Sequence, residues 1–119
     1  MDIKGNSGQL LLNLMSASTR RAEVLSNNIA NQNTPGFKRS TVAFEDLLQA
    51  EMQRGNGDLL SVAPQEMVDM LTPTGGDGNN VTMELEVNAM NQNRLLFETY
   101  ATIFSGRMEL LRASIEEGR

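Results

Sequence analysis

Any chemistry in this chain would have to come from carboxylates. The 119 residues include no Cys and no His. Thiolate nucleophiles, His-based triads and thiolate or imidazole metal sites are therefore excluded. What remains is Asp and Glu, 15 in all, with Ser, Thr, Lys4 and the single Tyr100 beside them. Carboxylates act as general acids and bases when they converge in a dry cleft that shifts their pKa values. Here most of them lie off the apolar helical stripes or in Gly-rich loops. Asp77-Gly78-Asn79 opens like a calcium loop but lacks the further alternating oxygen ligands and the closing Glu. No catalytic residue, cofactor or metal site is expected.

Composition removes two further partner classes. The net charge is −5 and the sequence pI about 4.6, with aromatics at 4%. Nucleic-acid binding needs clustered Lys and Arg to replace counterions, and stacking platforms need aromatic faces. The charge is uneven: residues 1–60 carry six basic and six acidic side chains, and residues 61–119 carry four and nine. The acidic half reads as a solvated face or as a surface matched to a basic partner. No run approaches the ~18 apolar residues of a spanning helix, so no membrane insertion is expected. Leu10-Leu11-Leu12 is broken at once by Asn13, too short for the ~7–15-residue apolar core of a secretory signal. The expectation is a protein that stays in the cytoplasm or leaves it without a cleaved peptide.

Stepping along the chain, two helices frame a punctuated middle. Leu11, Leu14, Ser18, Ala22, Leu25 and Ile29 recur at three- and four-residue spacing and predict a helix over 8–31. Pro35 pushes Thr34 out of helical geometry and ends it. Thr34-Pro35-Gly36-Phe37 reads as a type II turn, with Pro fixing one φ and Gly supplying the positive one. Phe44 to Met52 fits two or three helical turns. Five of the ten glycines and two of the three prolines fall between Gly55 and Asn80, so residues 34–80 read as turn, short helix and mobile linker. Strand-like pieces are expected at Leu59–Val62 and Glu66–Leu71.

The strongest pattern lies at the C-terminal end. Met83, Val87, Met90, Arg94, Phe97, Ala101, Phe104, Met108, Leu111 and Ile115 alternate spacings of four and three, with only Arg94 not apolar. That is a coiled-coil seam over 82–117, in a helix of about 54 Å at ~1.5 Å per residue. The fold expected is mainly α: long N- and C-terminal amphipathic helices in a coiled-coil-like hairpin, with a flexible Gly/Pro-rich middle, one domain over 1–119. A two-helix hairpin buries only its facing stripes and is marginal alone. Each Leu- or Phe-sized side chain left wet forgoes ~1.5–3 kcal/mol. Copies of itself or other chains must supply the rest, and the lone monomer is expected to be loosely folded. Eight Met residues, three of them on the seam, suit an interface that must fit non-identical neighbours.

Asn28-Ile29-Ala30-Asn31 followed by Thr34-Pro35-Gly36-Phe37 resembles, position by position, the N-terminal signature of flagellar rod and hook proteins. The short length and the run Gly78 to Glu86 before the last helix look most like a proximal-rod member. The likeness covers roughly residues 8–48 and 78–117. The residues themselves support a structural role for the signature. Asn tolerates left-handed geometry and bonds nearby backbone, Pro35-Gly36 reverses the chain, and Phe37 is placed to fold back as an anchor.

The resemblance implies a basal-body rod subunit in the periplasm, exported unfolded by the flagellar type III apparatus without a cleaved signal peptide. Its implied partners are copies of itself, other flagellar rod proteins, adaptors between the membrane-embedded ring and the rod, and the export gate. The assembly seam would comprise Leu11, Leu14 and Leu25 with Met83, Val87, Met90, Phe97, Phe104, Met108, Leu111 and Ile115. Phe44 and Leu48, one turn apart on one helical face, look like the element early substrates present to the export gate. The basic pairs Arg20-Arg21 and Lys38-Arg39 read as solvent-facing charge or as partners for acidic residues of neighbours, such as Glu98 and Glu109. The alternatives are another small axial subunit or a non-flagellar coiled-coil adaptor. An adaptor explains the heptads but not the Asn run with Thr-Pro-Gly-Phe.

Overall fold

The apolar stripes translate directly into two long helices. The structure is a computed structural model and describes residues 6–54 and 57–118. Met1–Gly5, Gly55, Asn56 and Arg119 lie outside the described residues, and so do the parts of the 1–119 domain and of the linker that fall on them. Helix α1 runs Asn6–Ala30, strand β1 Ser40–Ala43, helix α2 Glu45–Arg54, strand β2 Gln65–Val68 and helix α3 Met83–Glu117. α1 and α3 pack antiparallel: Asn28 near the end of α1 meets Glu86 at the start of α3, and the Ser18 carbonyl meets Asn93. The result is an elongated body of 68 × 29 × 14 Å.

The end of α1 uses one of the two means that its Asn residues offer. Among the described residues no non-Gly residue has a positive φ, so none of them turns left-handed. Their amides bond nearby residues. Asn31 Nδ2 donates to the Asn27 carbonyl at 2.8 Å, and Asn31 Oδ1 accepts from the Thr34 hydroxyl at 3.1 Å. The turn that follows is as expected. Phe37 N–H donates to the Thr34 carbonyl at 3.2 Å, and Gly36 has φ 75°. A Cβ at Gly36 would meet nothing within 4 Å, so a side chain there costs backbone strain alone. Gly36→Val is expected to lose about 1–3 kcal/mol, read as a lower melting temperature. A variant as stable as the parent would count against the turn.

The middle contains a two-stranded sheet, for whose second strand the sequence offered a place and for whose first it offered none. β1 and β2 pair antiparallel in the register Ser40↔Val68 to Ala43↔Gln65, extended one step by the Asp69 N–H to the Arg39 carbonyl at 2.8 Å. Two corrections follow. Leu59–Ser61 is a single 3₁₀ turn rather than a strand, and the second strand-like piece is Gln65–Val68 rather than Glu66–Leu71. The core is small. Ala17 of α1, Phe44 and Leu48 form its centre, with Leu10, Leu14, Leu59 and Val62 packed around them. Val24, Leu25 and Val42 are also buried.

Candidate assembly site

The signature segment lies where α1, β1 and the start of α3 converge. Asn28 is fully buried, and its amide serves as a strand neighbour for β1. Nδ2 donates to the Ser40 carbonyl at 2.8 Å, and the Ser40 N–H donates to Oδ1 at 2.9 Å. The same Nδ2 reaches Glu86 Oε2 at 3.2 Å. Glu86 is 0% exposed and accepts from Arg39 Nε, with Arg39 Nη2 at 3.4 Å from its other oxygen. Arg39 Nη1 extends to Asp69 at 2.8 Å. Asn80 closes the ring: Oδ1 accepts from the Arg39 N–H at 2.6 Å, and Nδ2 donates to the Asp69 carbonyl at 2.7 Å. A buried carboxylate persists only when paired and hydrogen-bonded in this way. The Glu86 hydrogen bond, set against the cost of burial, raises the Arg39 pKa. Asp69 is held well below the usual carboxylate range, first by the Thr72 hydroxyl and then by Arg39.

A second set of bonds fastens the turn to the chain just before α3. Asn79 Nδ2 donates to the carbonyls of Asn31 at 2.9 Å and Thr34 at 2.8 Å. The Gly36 N–H donates to the Asp77 carbonyl at 2.9 Å. Gly78 has φ 81°, and a Cβ there would sit 3.5 Å from Gly36 Cα. That is an ordinary contact distance, so both glycines are called for by their positive φ rather than by lack of space. Lys38 Nζ donates to the Gly78 carbonyl. Thus Asn28, Asn31 and the Thr34–Phe37 turn are joined through Asn79 and Asn80 to the C-terminal helix. Of the remaining signature residues, Ile29 and Phe37 are half-buried, and Ala30, Thr34 and Pro35 are exposed.

Further along the hairpin, Arg21 Nη2 bonds Glu45 at 2.6 Å, its Nη1 bonds Asn93 Oδ1 at 3.1 Å, and its Nε donates to the Val42 carbonyl at 3.2 Å. Tyr100 OH donates to Glu45 Oε2 at 3.0 Å. Burial would raise Glu45, but the Arg21 hydrogen bond and charge, with Tyr100, bring it below its ordinary value. Burial first, then the hydrogen bond to Glu45 and its charge, push Tyr100 up to about 12.

These shifts make opposite predictions at the two ends of the pH scale. The raised Tyr100 value favours the protonated phenol, so its contribution is complete below ~10 and is lost as pH rises through about 12. The depressed Asp69 and Glu45 values contribute stability present above ~4 and lost as pH falls below it. With one Tyr in the chain, absorbance at 295 nm should titrate near 12 in the docked hairpin and near ~10 in urea. A native midpoint equal to that in urea would mean that Tyr100 is not docked.

Arg21 and Arg39 are used within the chain, which corrects their reading as solvent-facing charge or as partners for Glu98 and Glu109 of neighbours, while Arg20 stays exposed. Arg21 and Arg39 are the hubs just described, and Arg20 pairs with Glu23 and Glu66. Arg94 pairs weakly with Glu98 at 3.9 Å, both well exposed. Phe44 and Leu48 are buried in the core.

The expected seam divides. Leu25 is buried, while Leu11, Leu14, Met83, Met90 and Phe104 are half-buried. Val87, Phe97, Met108, Leu111 and Ile115 are exposed. The inner line of α3 is instead Glu86, Asn93 and Tyr100, spaced by seven. That line is a heptad in its own right, hidden in the sequence because its members are polar and the apolar one beside it is stronger.

Comparison with known proteins gives the chain its relatives. A family model for flagella basal body rod proteins matches residues 12–38. The chain is similar to the flagellar basal body rod protein FlgB of Aeromonas hydrophila, at 36% identity over 112 residues, covering 83% of this chain and 85% of that protein. The FlgB of Borrelia hermsii is 33% identical over 102 residues, with 70% and 76% covered. That of Bacillus subtilis is 25% identical over 129 residues, with each chain covered in full.

Proposed function

This chain belongs to the FlgB family of flagellar basal body rod proteins, and from that premise we propose that it is a building block of the proximal rod. The family is structural rather than enzymatic, its place is the basal body, and it assembles with other rod proteins. The observation that carries the finer reading is the division of α3. Its inner line closes the hairpin through polar contacts, and its apolar line, Val87, Phe97, Met108, Leu111 and Ile115, stays open. An open apolar heptad on a rigid helix is a surface for other helices. In the assembled rod the seam, with Leu11 and Leu14, packs against neighbouring copies, other rod subunits and the adaptors that join the rod to its membrane ring. Close-packed interfaces have low compressibility, which suits a part that transmits motor torque.

The route to the periplasm in this reading is the flagellar type III apparatus, entered unfolded and without cleavage. Phe44 and Leu48 meet the export gate before folding and enter the core after it. No helix among the described residues is long and apolar enough to cross a membrane, which fits a subunit held by protein contacts. In the isolated monomer the wet apolar line of α3 is the loosely held part and gains helix on assembly, while the contacts of Arg39 with Glu86 hold the base of the hairpin. Mass spectrometry of purified hook–basal bodies beside the cytosolic fraction tests the placement. Enrichment with the rod is expected. Abundant free protein in a fully flagellated cell, with none in the basal bodies, would favour the adaptor reading.

A further inference from the structure

The two-stranded sheet has two outer edges, and the chain treats them differently. The Asp69 N–H bonds the Arg39 carbonyl, which sets the phase of the register Ser40↔Val68 to Ala43↔Gln65. The backbone groups of Ser40 and Val42 therefore point away from β2, and those of Glu66 and Val68 point away from β1. On the β1 side α1 takes them up: Asn28 bonds both Ser40 groups, and Arg21 bonds the Val42 carbonyl. On the β2 side no further strand lies in the sheet, and among the described residues no other backbone group bonds Glu66 or Val68. All four residues of β2 are exposed. Met67, Val68, Met70 and Leu71 along this edge are 52%, 58%, 70% and 93% exposed. An open edge with an apolar border is a template for another strand.

We propose that the open edge of β2 pairs with the same edge of a second copy, antiparallel about a two-fold axis at Met67, to give a four-stranded sheet. The edge complements itself in that register. Glu66 stands opposite Val68 of the second copy, and each such pair exchanges both of its outward N–H···O bonds. Met67 stands opposite Met67, Asp69 opposite Gln65, Met70 opposite Pro64 and Leu71 opposite Ala63. Apolar ends meet, and no like charges face each other. An axis at Glu66 would set two carboxylates directly opposite, which is unfavourable. An axis at Val68 would set Met67 opposite Asp69. A slip of one residue would set outward-pointing backbone groups opposite inward-pointing ones.

Charge does not oppose the contact, although the chain carries −5. Glu66 is held by Arg20 and Asp69 by Arg39, so the carboxylates of the edge arrive neutralised. The joint uses one patch twice and therefore closes at two copies. It leaves the apolar line of α3 untouched. A closed two-fold pair has no direction and cannot continue a rod, so the pairing belongs to the free chain. There it covers an edge that would otherwise recruit strands from any chain. The pairing goes beyond the rod reading and does not rest on it.

The absence of Cys allows a direct test on the full chain. At the axis the two copies of Met67 form a non-hydrogen-bonded pair with Cα atoms about 4.5 Å apart, within disulfide range. Met67→Cys should cross-link to a homodimer under mild oxidation. Gln65→Cys, also exposed, should not, because the two copies of that position lie about 13 Å apart along the strands. Val68→Pro removes an N–H that points away from β1, so the β1–β2 ladder and the helix content should hold. Dimerisation should fall about 10-fold or more. Val68→Ala keeps the N–H and should lose far less. Sedimentation equilibrium in chains that also carry Leu111→Glu and Ile115→Glu, which put charge on the open line of α3, should show dimers and nothing larger. Equal cross-linking at positions 65 and 67, pairing that survives Val68→Pro, or a monomer at millimolar concentration in that background overturns the edge pairing. So does Met67→Cys cross-linking to a different protein in flagellated cells with no homodimer formed, which would give the edge to that protein. The basal-body fractionation decides the rod assignment separately.

Discussion

Arg39→Ala should lower the stability of the hairpin by about 3–5 kcal/mol, a large share of the ~5–15 kcal/mol of a small domain. The reason is what it leaves behind. Glu86 has no exposure, and without the guanidinium its carboxylate keeps only the Asn28 amide at 3.2 Å. Asp69 loses its 2.8 Å partner at the same time. The penalty for breaking a buried pair exceeds the net worth of the pair, and two controls separate these quantities. Replacing Arg39 by Met together with Glu86 by Leu removes both charges and should cost far less than Arg39→Ala alone. Arg94→Ala removes one member of an exposed pair at 3.9 Å and should change stability by under ~1 kcal/mol. Urea unfolding at matched concentration reads all three. If Arg39→Ala unfolded at the wild-type midpoint, the clasp would hold nothing.

The contrast between Arg39 and Arg94 also explains what was legible in the sequence. Both are single basic residues next to helical patterns. Arg94 interrupts the apolar heptad visibly and lies at the surface. Arg39 sits in Lys38-Arg39 beside a turn, where charge is ordinarily solvated, and nothing local marks it as buried. Its partners Asp69 and Glu86 are 30 and 47 positions away. Periodicity reports which residues share a face and is silent on long-range polar pairing. Hence α1, α2, α3 and the Pro35-Gly36 turn could be read from spacing and turn chemistry. Of the sheet only the neighbourhood of the second strand could be read, and neither the first strand nor the pairing could. Ser40–Ala43 and Gln65–Val68 are four residues each, and neither alternates cleanly. They pair because Asn28 lines one edge of β1 and Arg39 ties the other end to Asp69.

The same division of labour accounts for α3 having two heptads. Helices that close on each other through apolar stripes alone compete with every other apolar stripe in an assembly of similar chains. Glu86 accepts from Asn28 and Arg39, Asn93 accepts from Arg21 and donates to the Ser18 carbonyl, and Tyr100 donates to Glu45. Polar residues in a helical interface fix register and partner at some cost in stability. We read the inner line as choosing the partner within the chain, which leaves the apolar line for others.

Phe44→Ala should be the most damaging truncation in the core and, by the export reading, should also reduce secretion. Phe44 is 0% exposed and packs with Ala17 and Leu48, so removing the ring leaves a cavity and costs about 3–5 kcal/mol. On the export reading that alone would not hinder secretion, because a chain that leaves unfolded is helped rather than harmed by losing native stability. A second truncation exploits this. Leu14→Ala removes another side chain packed on the same cluster, at a cost of about 2–5 kcal/mol where burial is full and less here, and leaves both Phe44 and Leu48 in the sequence. The expected pattern is synthesis intact in both variants, secretion reduced in Phe44→Ala and normal in Leu14→Ala, and rod assembly weakened in both. Phe44→Leu, which keeps an apolar side chain at the position, should recover most of the stability and part of the secretion. Equal secretion of Phe44→Ala and Leu14→Ala would assign Phe44 to the core alone and remove the export-gate role.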